Sequence, residues 1–214
     1  MKQIYLLATF ITVITAATSC SDENFFSSGV SEGVPVMLTL NVRDVSPKKV
    51  TVNTRATMPD ADEKKLKSLE VFIFNRNGNL KGYKKLTEGL TQDGSQGEVT
   101  DIKTTSGESY VYAIANNPTN IYRFDGLESG FDEDDAQAGK ISFTRDQFKK
   151  ACFTKQAKEL LPSDGFFLMS GVANEAEGQP DAGAVTINTD GTIARGDNLI
   201  KLRRNVSKVI FNVK

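Results

Sequence analysis

Few side chains in this chain could do chemistry, and their types restrict what that chemistry is. The 214 residues include 0 His and 0 Trp. Without His, the commonest general base and the commonest transition-metal ligand are both missing. That disfavours most hydrolytic and zinc-dependent mechanisms and leaves carboxylate or lysine chemistry formally open. Ser129 in "ESGFD" and Ser163 in "PSDGFF" have no His with which to build a triad. Carboxylates gather at Asp132, Glu133, Asp134 and Asp135. A calcium loop of the EF-hand kind spaces its ligands around a central Gly and a later Glu, so this run reads as a solvated loop instead. "LKGYKK" reads as a short solvated strand face, and no Gly-rich phosphate loop is present. Asn205-Val206-Ser207 matches a glycosylation sequon but falls inside an expected strand. The net charge of -1 offers no basic field for a phosphate backbone, so nucleic acid is not an expected partner. No enzyme, no metal and no cofactor is expected.

What remains is the chemistry of processing. "MKQIYLLATFITVITAATSC" carries one positive charge, Lys2, and then fourteen apolar or Thr residues from Ile4 to Ala17. A bilayer span needs about 20 apolar residues, so this stretch reads as a signal peptide. Ala17, Thr18 and Ser19 run into Cys20, which resembles a bacterial lipobox with Ala17 standing where Leu is usual. The other reading is an ordinary signal peptide followed by a chance Cys. Acyl chains bury CH₂ groups at about 0.8 kcal/mol each, so a multiply acylated Cys20 anchors stably. "SDENFFSSGVSEG" follows as a polar tether, and its acidic start resembles the surface-export signal of Bacteroidetes lipoproteins. The second candidate is the joint Arg55-Ala56. It lies between a strand-like segment and a polar, proline-bearing stretch, and reads either as a loop or as a cleavage site.

The elements that must position these residues are mostly strands. In "VPVMLTLNV", Val34, Val36, Leu38, Leu40 and Val42 alternate as in a half-buried strand. Val50 and Val52 continue the pattern after Ser46-Pro47. "LEVFIFN" reads as a central strand followed by the turn "NRNGN", and "SYVYAIANN" as a strand covered on both faces. Thr144 and Gln147 fit a capping box that opens a helix with Phe148, Cys152 and Leu160 near one face and Pro162 as its stop. Cys152 on that face reads as an inert core thiol. "FFLMSGVA" is a further strand, "GAVTINTDGTI" a strand and a turn, and "LIKLRRNVSKVIFNVK" a closing strand with Val209, Phe211 and Val213 alternating. Many short strands with one or two short helices predict a mainly β protein, a β-sandwich.

These pieces, in this order, resemble the major fimbrial subunits of Bacteroidales, the FimA-like subunits of type V pili. The resemblance rests on the lipobox at Cys20, the alternating strand, and "TRAT" ahead of "LKSLEVFIFNRNGNL". It rests also on "SYVYAIANNP", "FFLMSG" and the closing basic strand. It implies a transthyretin-like, Greek-key sandwich and four segments. These are a lipoprotein signal peptide over 1–19, a tether over 20–33, a removable leading strand or strands over 34–55, and an N-terminal fimbrial domain over 56–214. An arginine-specific protease is implied to cut after Arg55 and leave Ala56 as the new N-terminus. The cut removes the lipid on Cys20, which holds the precursor to the outer membrane, together with the strand that fills the groove through Val34, Val36, Leu38, Leu40 and Val42. Other fimbrial subunits are then the partners, adding strands at a cell-surface fimbrium that supports adhesion. The family places a second sandwich domain beyond the strand that "RRNVSKVIFNVK" resembles. A chain ending at Lys214 is therefore expected to accept a strand and not to donate one in the usual way. The competing expectation is an uncleaved surface lipoprotein that binds a glycan or protein ligand, although the chain has no Trp on which a sugar would stack.

Overall fold

The computed structural model describes residues 31–45, 66–87, 90, 96–117, 131–153, 167–174, 184–195 and 198–204, with side chains of the second helix described up to residue 150. Its elements in chain order begin with β1 (Pro35–Asp44), β2 (Leu69–Asn75), β3 (Leu80–Leu86), β4 (Gln96–Thr105) and β5 (Gly107–Ala115). Two helices follow, α1 (Glu133–Gln137) and α2 (Arg145–Phe153). The chain then forms β6 (Met169–Val172), β7 (Val185–Ile187), β8 (Ile193–Arg195) and β9 (Leu199–Arg204). The protein is mainly β, as expected.

The strands pair in the order β3-β2-β5-β6-β9-β1-β4, and the short hairpin β7–β8 hangs from the start of β5. β9 joins the two halves: Leu199 to Leu202 ladder with β1, whereas Arg203 and Arg204 ladder with β6. The pairing of β1 with β9 is parallel and the other ladders are antiparallel. The sheet folds over, so that the inward side chains of β1, β4 and β9 meet those of β2, β5, β6 and β7 in one aliphatic cluster.

The local reasons are visible in the residues. "LEVFIFN" is buried on both faces, because Val71 and Ile73 enter the aliphatic cluster while Phe72 and Phe74 enter a second one beneath the helices. β5 divides in the same way, with Val111 and Ala113 inward and Tyr112 and Ile114 outward. The turn after β2 is held by Asn75, whose side-chain oxygen accepts from the backbone N–H of Asn77 and of Asn79, both at 3.0 Å. Its Gly78 sits at φ +82°, a conformation that side-chain-bearing residues rarely adopt. At the far end of β5, Asn116 adopts φ 56°. Its amide accepts from Lys67 N–H at 2.7 Å and donates to the Phe167 carbonyl at 3.0 Å, tying three segments together.

The capping box forms as expected. Gln147 N–H donates to Thr144 Oγ1 at 3.3 Å, and Thr144 N–H donates to Gln147 Oε1 at 2.8 Å. Phe148 is buried, whereas the side chain of Cys152, together with Leu160 and Pro162, lies outside the described residues. So do Asn205, Val209, Phe211 and Val213.

Two expectations are corrected. The acidic run 132–135 is not a loop: Asp132 caps α1, its carboxylate accepting from Asp135 N–H at 2.9 Å, and the carboxylates that follow reach lysines. "LKGYKK" is not a solvated face: Leu80, Lys81 and Tyr83 are buried because α1 and β4 cover β3.

Candidate functional site

The alternation in β1 is borne out. Val36, Leu38, Leu40 and Val42 are buried, and Pro35, Met37, Thr39 and Arg43 are exposed between them. Val34 is half-buried and is fixed through its backbone. Its N–H donates to Ser106 Oγ at 3.1 Å, and its carbonyl accepts from Ser106 N–H at 2.8 Å. Burying four such side chains contributes about 1.5–3 kcal/mol each. The total, on the order of 10 kcal/mol, is comparable to the whole stability of a typical domain. β1 is therefore a major part of the inner core while being one contiguous piece of chain.

β1 is bonded on both edges. It runs antiparallel to β4 from Pro35 to Arg43 and parallel to β9 from Asn41 to Asp44. The β4 ladder shifts register between Leu38 and Leu40, opposite Ile102 and Val99. The extra residue sits on β4, where Asp101 takes φ 55°. This bulge lets Val99 and Ile102, three apart in sequence, both face inward. Ahead of its contact with β9, β1 runs beside the β7–β8 hairpin. A cleft of about 460 Å³ opens there between Met37 and Thr39 on one side and Asp190 to Ile193 on the other. A Cβ on Gly191, itself at φ +81°, would collide with the Met37 carbonyl, so glycine sets how closely the hairpin approaches.

The start of the strand is fastened. Ser106 Oγ donates to the Ser31 carbonyl, Gly33 N–H donates to the Ser106 carbonyl at 3.2 Å, and Glu32 pairs with Arg76 at 3.8 Å. Glu32, Gly33, Arg76 and Ser106 line a cleft of about 660 Å³ that also takes in Lys81 and Lys140. Lys81 donates to the carbonyls of Thr105 at 2.8 Å and Ser106 at 3.3 Å. Burial pushes its ammonium down to about 8, against the pull of the Glu32 charge. Deeper in the sheet, burial and the nearby Glu70 carboxylate raise the Tyr83 phenol above its ordinary range.

Of the residues singled out in the sequence, Val36, Leu38, Leu40 and Val42 come together on β1 inside the fold, and Val34 stands just ahead of it, half-buried. Cys20, Arg55, Ala56, Val50 and Val52 lie outside the described residues. Sequence reasoning missed Lys81, α1 and the whole of β4. Among the described residues, no group of three or more His, Cys, Asp or Glu is placed to hold a metal ion. Among them, too, no helix is long and apolar enough to cross a membrane.

The model of the family described as major fimbrial subunit protein (FimA) matches residues 37–186, from within β1 to within β7. The chain belongs to this family. It is a family of structural subunits. Among solved structures, the FimA-family chain is similar to the tip fimbrial protein Mfa3 from Porphyromonas gingivalis with C-terminal truncation. The identity is 17% and the TM-score 0.45, over 79% of this chain and 48% of that one. It is also similar to a candidate cell adhesion protein from Parabacteroides distasonis, at 14% identity and TM-score 0.42, over 80% of this chain and 40% of the other. A fimbrial assembly protein from the same organism matches at 19% identity and TM-score 0.26, over 46% of this chain and 38% of that one. The chain thus spans less than half the length of each of these structures. No curated protein matches it.

Proposed function

We propose that this FimA-family chain is a structural subunit, or the N-terminal domain of one, of a cell-surface fimbrium that supports adhesion. In this reading it is exported with lipid on Cys20 and held at the outer membrane. It is then cut after Arg55 by an arginine-specific protease, which leaves Ala56 as the N-terminus. β1 departs with the lipid, and a strand from another subunit takes its place.

The observation that supports this reading most directly is the seat of β1. Its four buried side chains alternate along one strand flanked by β4 and β9, and Arg55 lies in the connection to β2. A single cut there detaches the strand without severing the rest of the chain. The vacated seat offers two rows of unpaired N–H and C=O groups and an apolar floor, which is what an added strand requires. Before the cut, β1 fills the seat and blocks assembly.

The test is to treat the full chain with an arginine-specific protease, inactivate the protease, and then supply a fluorescent peptide of residues 31–45, which itself contains Arg43. The expected outcome is a chain that begins at Ala56, releases residues before it and takes up the peptide. A chain that keeps acylated Cys20, stays monomeric and ignores the peptide would instead be an anchored surface lipoprotein with a glycan or protein ligand.

A further inference from the structure

β1 is the only ladder partner of β4 among the described residues. On its other side β4 faces β3 without a ladder. The two strands press together where Gly82 meets Thr104, since a Cβ on Gly82 would lie 2.9 Å from the Thr104 side chain and 3.0 Å from the Lys103 carbonyl. Losing β1 would strip β4 of its whole ladder and bare Val99 and Ile102. Such a strand should fray or fall into the empty seat. An acceptor that collapses cannot receive a strand readily, so something else must hold β4.

The seam is crossed by side chains. Lys103 on β4 pairs with Asp134 of α1 at 2.6 Å, and Gln137 of α1 donates to the Thr104 carbonyl at 2.7 Å. Lys81 on β3 donates to the Thr105 and Ser106 carbonyls at the end of β4. α1 is itself fixed to the half of the sheet that does not depend on β1. Ala136 is buried in the aromatic cluster, and Glu133 pairs with Lys84 of β3 at 3.0 Å. The Gln137 amide also reaches the Val36 carbonyl at 3.4 Å, so one donor serves both β4 and the strand in the seat.

We infer that α1 and Lys81 staple β4 to β3, keeping β4 upright as the outer wall of the groove while the seat is empty. Asp134, Gln137 and Lys81 are then positioning residues for strand exchange. The inference builds on the strand-exchange reading above. Its physical advantage is preorganisation: an incoming strand does not have to reorder the wall it binds.

The experiment is limited proteolysis of the full chain with a lysine-specific protease, read by mass at Lys103, the lysine of β4. β1 is unseated without cutting by Leu38→Asp with Leu40→Asp, and in a gentler background by Leu40→Asp alone. With the staple intact, cutting at Lys103 is expected to stay within threefold of the unsubstituted chain. Adding Asp134→Ala and Gln137→Ala should speed it at least tenfold in the unseated chains, but less than threefold where β1 is seated. Fast cutting at Lys103 in both unseated backgrounds with the staple intact overturns the inference, whether β4 opens alone or with the rest of the sheet. Equal acceleration by the staple substitutions in seated and unseated chains also overturns it. The peptide of residues 31–45 separates the two readings: if Lys103 stays protected but no peptide is taken up, the staple stands and strand exchange falls.

Discussion

Beneath α1 and α2 the packing is aromatic, whereas between the two halves of the sheet it is aliphatic. Phe72 alone lies 4.9 Å from Phe148, 5.2 Å from Tyr83 and 5.6 Å from Phe131, ring centre to ring centre. Phe74, Tyr112 and Phe143 extend the same network. Such rings prefer tilted and edge-on geometries, and each fixes several neighbours drawn from β2, β3, β5 and α2. The inner cluster holds Val, Leu, Ile, Ala and Met, and no ring among the described residues. A large share of it comes from β1, as a row of similar side chains on one extended backbone. On the strand-exchange reading proposed above, the contrast separates a core that stays in place from one whose strand is replaced. Interlocked rings from many elements cannot leave one at a time. A single strand with alternating Val and Leu can be exchanged for another of like pattern, because its main-chain bonds do not depend on side-chain identity.

The largest effect should come from the aromatic core. Phe72→Ala is expected to destabilise by about 3–5 kcal/mol. An excess of the residue 31–45 peptide should leave the lowered melting temperature unchanged. Leu40→Ala in the aliphatic core should cost about 2–5 kcal/mol, but here the same peptide should recover much of the loss in a concentration-dependent way. Equal rescue of both variants, or of neither, breaks the contrast between the two cores. Thr144→Ala, which removes the cap of α2 over the aromatic cluster, should cost about 1 kcal/mol and be indifferent to peptide in denaturant titrations.

The smallest effect concerns the seam, and it is a pH dependence. Burial holds the folded Lys81 ammonium near 8, while the unfolded lysine titrates near 10.4. Below about pH 8 the folded chain bears the full cost of a buried cation. Between the two values the unfolded chain binds more protons, so stability rises with pH across that window. The raised Tyr83 phenol acts with the opposite sign, above the ordinary tyrosine value of about 10. The urea midpoint should therefore climb between pH 7.5 and 9.5 more steeply in the native chain than in Lys81→Met. Parallel profiles would show that the lysine is not buried as described.

Some of this was legible in the residues and some was not. The alternation of β1, the apolar run of β2 and the Thr144–Gln147 box each express a local rule, and each appears where the sequence placed it. β4 escaped because its bulge at Asp101 sets Val99 and Ile102 three apart, which breaks the two-residue period by which strands are recognised. α1 escaped because five residues are too few to display a helical period, and four adjacent carboxylates look like a solvated loop until lysines from other strands are brought to them. Lys81 looked solvated for the same reason: the covering residues are distant in sequence.

By itself, then, the sequence determined which residues of β1 face inward, that β2 is a central strand, that β5 is covered on both faces, and that the 214 residues offer no His. Each follows from composition or from the period of a single segment. Only the tertiary structure decided that β1 lies between β4 and β9, with the β9 partner coming from the other end of the described chain. Only it decided that α1 spans the seam beside β4. Apolar burial is non-directional and rewards any partner that excludes water, so a strand's own pattern says that it must be covered and not by what. The choice is made by register, by the close approaches at Gly82 and Gly191, and by the side-chain bonds that close the sheet where no ladder does.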